Sequence, residues 1–205
     1  MKRVSGGFSL RTRVELQQVD PRQMDQYLVP VNRNPISADT RVWLVPDDVD
    51  GLIQDATQEF WTPLGLARSL DLLLHACRER EIGYADLSPV CLTITDTSLE
   101  ALIKRCGPGY FENTPCENDL LSDGWRFLGF DAVELNGLTS SLKGIGYKEP
   151  SWSELRMRFG RALNEVGLFN DEATVSEFAK MRGAEIPEHA PFDVVGVLVH
   201  DPIRQ

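Results

Sequence analysis

Apolar residues recur along this chain with two different periods, and the switches between them mark out its elements. CLTIT at 91–95 and VVGVLV at 194–199 are short β-branched runs, and RVWLV at 41–45 alternates until Pro46; each predicts a strand. WRFLGFDAVEL carries apolar or aromatic residues at Trp125, Phe127, Leu128, Phe130, Ala132, Val133 and Leu135. That density suits a largely buried strand, and Asn136-Gly137 beyond it predicts a turn, since both residues tolerate positive φ.

Four segments instead show helical spacing. Thr62-Pro63 offers an N-cap and a first-turn proline ahead of Leu66, Leu70, Leu73, Leu74 and Cys77, which predicts a helix as far as Gly83. Thr97-Ser98-Leu99-Glu100 fits a capping box before Leu99, Leu102, Ile103 and Cys106, with Gly107-Pro108-Gly109 as the stop. Ser151-Trp152-Ser153-Glu154 fits a second box, and the stripe Trp152, Leu155, Phe159, Leu163 and Val166 predicts a helix ended by Gly167. A fourth helix is expected from about Asp171 to Arg182, burying Val175, Phe178 and Ala179 and stopped by Gly183. Strands and helices mix without a regular βαβ repeat, and no internal repeat shows at periods of 20 to 50 residues. The expected fold is α+β, a mostly antiparallel sheet with about four helices packed on it.

At 205 residues and 42% hydrophobic content the chain can bury a substantial core. The expectation is a single globular domain over 1–205, with an irregular proline-containing surface segment near 21–39. No run approaches the roughly 18 apolar residues that a membrane span needs, and the start MKRVSGGFSLRTRVELQQ has no apolar signal core, so a cytoplasmic protein is expected. Cys77, Cys91, Cys106 and Cys116 then read as reduced, buried thiols.

Charge narrows the partners. With 31 acids against 21 bases the net charge is −10, which disfavours direct contact with a nucleic acid backbone. Two segments account for the excess. Residues 39–59 hold Asp39, Asp47, Asp48, Asp50, Asp55 and Glu59 against Arg41; residues 112–134 hold Glu112, Glu117, Asp119, Asp123, Asp131 and Glu134 against Arg126. They read either as solvated loops or as a negative face for a basic partner, with Asp47, Asp48, Asp50, Glu117, Asp119 and Asp123 as the candidate contacts.

Catalytic patterns do not assemble. Ser140-Ser141-Leu142-Lys143 matches S-x-x-K, yet the chain has no S-D-N and no K-T-G. Gly144-Ile145-Gly146 lacks the third glycine of a dinucleotide loop. Asp48-Val49-Asp50-Gly51 resembles a calcium loop, but Pro46 stands where such a loop starts and Thr57 where the bidentate Glu belongs. His75, His189 and His200 show no zinc-ligand spacing, and His75 sits beside the apolar stripe of its helix, a core or boundary position. A Cys91–His200 pair made by the fold stays open. Neither a cofactor nor a metal is expected.

The segment from Gly124 to Tyr147, with IPEHAPFDVVGVLV at 186–199, is similar to stretches of bacterial immunity proteins encoded beside polymorphic toxins. The likeness covers about a fifth of the chain, rests on aromatic and glycine spacing, and assigns no functional residues. It implies an acidic, cytoplasmic, non-enzymatic protein that docks on a toxin or effector domain and blocks it. Two alternatives compete with it: a small enzyme using acidic pocket residues such as Asp131 and Glu134, and a structural or regulatory subunit of a phage or mobile element. On a strand, positions three apart face opposite ways, which counts against Asp131 and Glu134 cooperating.

Overall fold

The computed structural model describes residues 2–11, 62–84, 87–111, 114–134, 139–140 and 151–201. The expected strand at 41–45, the segment 21–39, Asp47, Asp48 and Asp50, Asn136-Gly137, and Lys143 with the glycines after it lie outside them. The fold is α+β. In chain order the elements are β1 (Arg3–Arg11), α1 (Leu70–Glu79), β2 (Ser88–Thr95), α2 (Asp96–Cys106), α3 (Glu117–Ser122), β3 (Arg126–Glu134), β4 (Thr139–Ser140), α4 (Ser151–Phe159), α5 (Glu172–Glu185) and β5 (Asp193–Val199). One five-stranded sheet has the order β1-β2-β5-β3-β4, and the pairs β1–β2, β2–β5 and β3–β4 are antiparallel. No helix among the described residues is long and apolar enough to cross a membrane.

Strands β2, β3 and β5 sit where the apolar runs put them, whereas β1, β4 and the short helix α3 are elements that the sequence pattern did not predict, and several helix boundaries move. Thr62-Pro63 does not open a helix: α1 begins at Leu70, capped by Ser69, whose hydroxyl accepts the Leu72 N–H. The six residues from Thr62 to Ala67 instead form a turn, in which Gly65 takes φ +70° and Ala67 bridges to Phe8. The cap of α2 is Thr95 and not Thr97; it ends β2 in an extended conformation and its Oγ1 accepts the Ser98 N–H, so strand and helix join with no loop.

Helix α4 stops at Phe159 and does not run on to Gly167. Leu163 pairs with Phe169 as an isolated bridge, and the Asn164 carboxamide accepts the N–H groups of Val166 and Leu168, a turn that competes with continuing the helix. Helix α5 runs through Gly183 to Glu185. Gly183 is therefore a helical residue and not a stop, a Cβ on it would meet Ala190 only at an ordinary 3.4 Å, and the helix ends ahead of Pro187.

Contacts divide the chain into two compact units, one of residues 1–12, 44–127 and 196–205, the other of 13–43 and 128–195. In the first, Leu10, Ala67, Leu73, Leu74, Cys77, Tyr84 and Leu87 form one buried cluster, and Phe8, Cys91, Leu120, Trp125 and Leu198 a second. The second unit buries Phe159, Phe169 and Phe178 with ring centroids 5.3 to 6.3 Å apart.

Each unit contains the same local device. In the first, Gly7 of β1 has φ +135° and lies under the turn that starts at Thr62; Phe8 and Ala67 exchange both backbone hydrogen bonds at 2.8 Å. In the second, Gly129 of β3 has φ +145° and lies under the turn that starts at Asn164; Phe130 and Phe169 exchange bonds of 2.8 and 2.9 Å. Inside the turns, Thr62 N–H donates to Leu66 O and Asn164 N–H to Leu168 O, while Gly65 and Gly167 take φ +70° and +80°. Capped helices then follow, from Ser69 and from Asp171. This is a duplicated motif. TPLGLARS at 62–69 and NEVGLFND at 164–171 are identical only at the glycine and the leucine after it, and their separation is far outside the window of solenoid repeats.

The Asp171 cap also ties stability to pH. Its carboxylate accepts the Thr174 backbone N–H, and that bond lowers its pKa below the ordinary aspartate value. The folded state binds this proton less readily than the unfolded chain does. The cap's contribution is therefore present at neutral pH and fades as the pH falls through the folded pKa.

Candidate functional site

Helix α3 is short, acidic and held to the first unit from beneath. Val4 bridges to Cys116, and the Ser5 N–H donates to Pro115 O, so the edge of β1 positions the residue that caps the helix. Leu120 is buried in the cluster of Phe8, Trp125 and Leu198. Glu117 and Asp119 occupy the first turn, where negative charge meets the positive end of the peptide dipoles.

The acids of this segment divide by environment. The Glu117 side chain is only 20% exposed; its Oε2 accepts the Thr93 hydroxyl and lies 3.5 Å from Nε of the buried Arg3. Arg3 in turn donates to the Thr93 carbonyl at 3.0 Å. Gly196 makes room for this triad, since a Cβ there would lie 2.5 Å from Thr93 Oγ1 and 3.2 Å from Glu117 Oε2. Glu117 is thus a structural ion-pair member within its own unit. Asp131 is fully buried, and Glu134 lies 3.0 Å from His189 Nδ1. Asp119 and Asp123 are exposed, together with Asn118, Leu121 and Ser122. Of the six acids between 112 and 134, only these two stand as surface charges among the described residues.

The thiols and histidines are placed for structure. Cys91 is fully buried and hydrogen-bonds Ser5 Oγ at 3.2 Å; its second contact is the Leu92 carbonyl. Burial pushes the Cys91 thiol up to about 12, with the Glu117 charge adding to the shift, so the thiolate needed for nucleophilic chemistry is suppressed at neutral pH. His200 packs edge-on against Trp125 with ring centroids 5.5 Å apart. His75, expected at a core or boundary position, is exposed and pairs with Glu79 one turn along the surface of α1. Among the described residues, no three His, Cys, Asp or Glu side chains gather as a metal-binding group.

All four cysteines are free, Cys77 and Cys91 buried, Cys106 and Cys116 only partly so. Titration of the native protein with a thiol reagent at pH 8 should therefore give two fast thiols and two that react only on unfolding. Four fast thiols would contradict the core assigned to Cys77 and Cys91. Above about pH 9 the buried Cys91 should begin to cost stability, because the unfolded thiol ionises there and the folded one does not.

Comparison with protein-family models, with curated proteins and with solved structures finds no match to this chain. The functional reading therefore rests on the chain's own geometry and charge. Periodicity could not have separated Glu117 from Asp119 and Asp123, because the partners that claim Glu117 come from β1 and β2.

Proposed function

We propose that this protein is an acidic cytoplasmic binding protein, an immunity or inhibitor protein that docks on a basic toxin or effector domain and blocks it. The observation that carries this reading is the surface of α3. Asp119 and Asp123 are exposed there beside Leu121, itself 39% exposed, while Leu120 and the Glu117 ion pair anchor the helix from the inside. Fixed charges around an apolar residue, on a backbone that does not have to be ordered on binding, suit recognition of a cationic surface. The net charge of −10 acts in the same direction at longer range, favouring fast encounter with a positive partner and disfavouring nucleic acid itself.

The test pairs this chain with the protein encoded beside it. After co-expression and recovery of a complex, Asp119→Asn/Asp123→Asn and Asp47→Asn/Asp48→Asn/Asp50→Asn are compared with the unsubstituted protein at low and high salt. Glu117 is left unchanged, since its carboxylate holds the Thr93 hydroxyl and pairs with Arg3 inside the first unit. The expected result is slower association, by about threefold or more at low salt, with the difference narrowing at high salt and the protein still folded, its melting temperature lowered only slightly because Asp119 also accepts the Cys116 thiol in the first turn of α3. Unchanged association rates in both variants, with the complex still formed, would remove the acidic surface as the docking site.

A further inference from the structure

The duplicated motif provides an internal reference: where the two copies differ, one copy shows what the other leaves out. Counted from their caps, Ser69 and Asp171, the two helices agree at the fourth residue (Leu73, Val175) and the eighth (Cys77, Ala179), all buried. At the fifth they diverge. Leu74 in α1 is buried in the cluster that includes Leu87, the residue directly before β2. Its counterpart in α5 is Ser176, and Phe192 directly precedes β5.

Between them the second unit has a cleft of about 350 Å³, whose lining includes Ser176, Ala179, Lys180, Gly183, Ala190 and Phe192. At the corresponding helix position the first copy carries Leu74, which is a member of its buried cluster. Most of this lining is apolar. The Ser176 hydroxyl is turned to the Glu172 carbonyl at 2.6 Å, and the Arg182 guanidinium stacks 5.9 Å from the Phe192 ring centroid, which helps to fix that wall. Lys180 is the exposed cationic member of the lining.

We propose that this cleft is the socket for a leucine- or phenylalanine-sized side chain of a partner protein, carried beside an acidic residue that meets Lys180. The apolar part of the occupant follows from the first unit, where the counterpart of Ser176 is Leu74, buried in one cluster with Leu87, the residue directly before the next strand. The acidic part follows from Lys180, since the binding energy of a single apolar anchor is reinforced when a charge at its rim is matched. This contact is separate from the acidic surface of α3 and calls for the opposite charge.

The probe is the blocked tripeptide acetyl-Glu-Leu-Glu-amide, followed by amide chemical shifts of the 205-residue chain. It carries no positive charge and so has no attraction to Asp119 and Asp123, which keeps failure here distinct from failure of the acidic-surface reading. The expected result is saturable shifts at Ala179, Gly183 and Ala190 in the millimolar range. Acetyl-Glu-Ala-Glu-amide should bind about tenfold more weakly, because the lost carbons are those the cleft would bury. Ser176→Leu, which restores the arrangement of the first unit, should abolish the shifts while keeping or raising the melting temperature. Lys180→Glu, an exposed change that leaves the lining in place, should reverse the preference toward acetyl-Lys-Leu-Lys-amide. Absence of saturable shifts in the unsubstituted protein would overturn the proposal. So would an undiminished titration of Ser176→Leu, or equal affinity for Glu-Leu-Glu and Lys-Leu-Lys in the unsubstituted protein. Binding of 4-methylpentanoate as tight as that of the peptide would replace the protein partner with a small carboxylic acid.

Discussion

Gly129→Ala should destabilise the protein by about 3 to 5 kcal/mol, among the largest effects of any single methyl addition in the chain. Two costs add. The backbone φ of +145° is one that L side chains rarely adopt, and a Cβ there would lie 2.7 Å from both the Leu168 Cβ and the Phe169 carbonyl oxygen. That oxygen accepts the Phe130 N–H, so relieving the overlap means pulling apart the bridge that holds the turn to β3. Gly7→Ala should behave alike, because its Cβ would meet Leu66 and the Ala67 carbonyl in the first unit. Gly183→Ala is the informative contrast. It sits inside α5 with its nearest neighbour at 3.4 Å, and the gain in helix propensity, up to about 1 kcal/mol, should leave stability unchanged or raised. Urea denaturation followed by circular dichroism measures all three. A loss below about 1 kcal/mol at both Gly7 and Gly129 would mean that the bridged turns are not built as described.

Phe178→Ala should cost about 3 to 5 kcal/mol for a different reason. Phe178 is fully buried, and its ring lies 5.3 Å from those of both Phe159 and Phe169, edge-on to the first and tilted to the second. Removing it empties the centre of the second unit and strips two aromatic contacts at once, and residues on three separate segments cannot all close in on the gap. Phe178→Leu keeps most of the volume and should cost less than half as much. The same denaturation experiment decides it: a loss below about 1 kcal/mol for the alanine variant would show that this cluster does not carry the second unit.

Helical spacing and helical backbone part company at two buried leucines. Leu66 and Leu163 both lie in register with the apolar stripe of a neighbouring helix, and both are buried, yet neither is helical. Each belongs to a short segment that pairs with extended backbone or bridges within its turn. A hydrophobic period reports which side chains go inside. It does not report whether the backbone between them satisfies its hydrogen bonds along a helix or across to a strand. Glycine was ambiguous in the same way: Gly107 ends α2 with φ +99°, whereas Gly183 lies inside α5, where a Cβ would meet Ala190 and Phe192 at ordinary contact distances.

What the sequence by itself determined is the α+β class, the positions of β2, β3 and β5, the existence of the four helices expected from spacing, and much of what they bury, though Leu70, Leu99, Ile103, Cys106 and Val166 of the expected stripes are only partly buried. These follow from local periodicity and β-branched density, which operate over a few residues. Tertiary structure alone decided the rest. It showed that Glu117 belongs to Arg3 and Thr93 while Asp119 and Asp123 face outward, that Cys91 bonds Ser5, and that two dissimilar eight-residue segments build the same bridged turn. It also left a cleft beside Ser176 where the other copy has Leu74. Each of these depends on groups brought together from distant parts of the chain. A carboxylate's role is set by the cation that meets it and a glycine's by the backbone that crosses it, and neither neighbour is written beside the residue in the sequence.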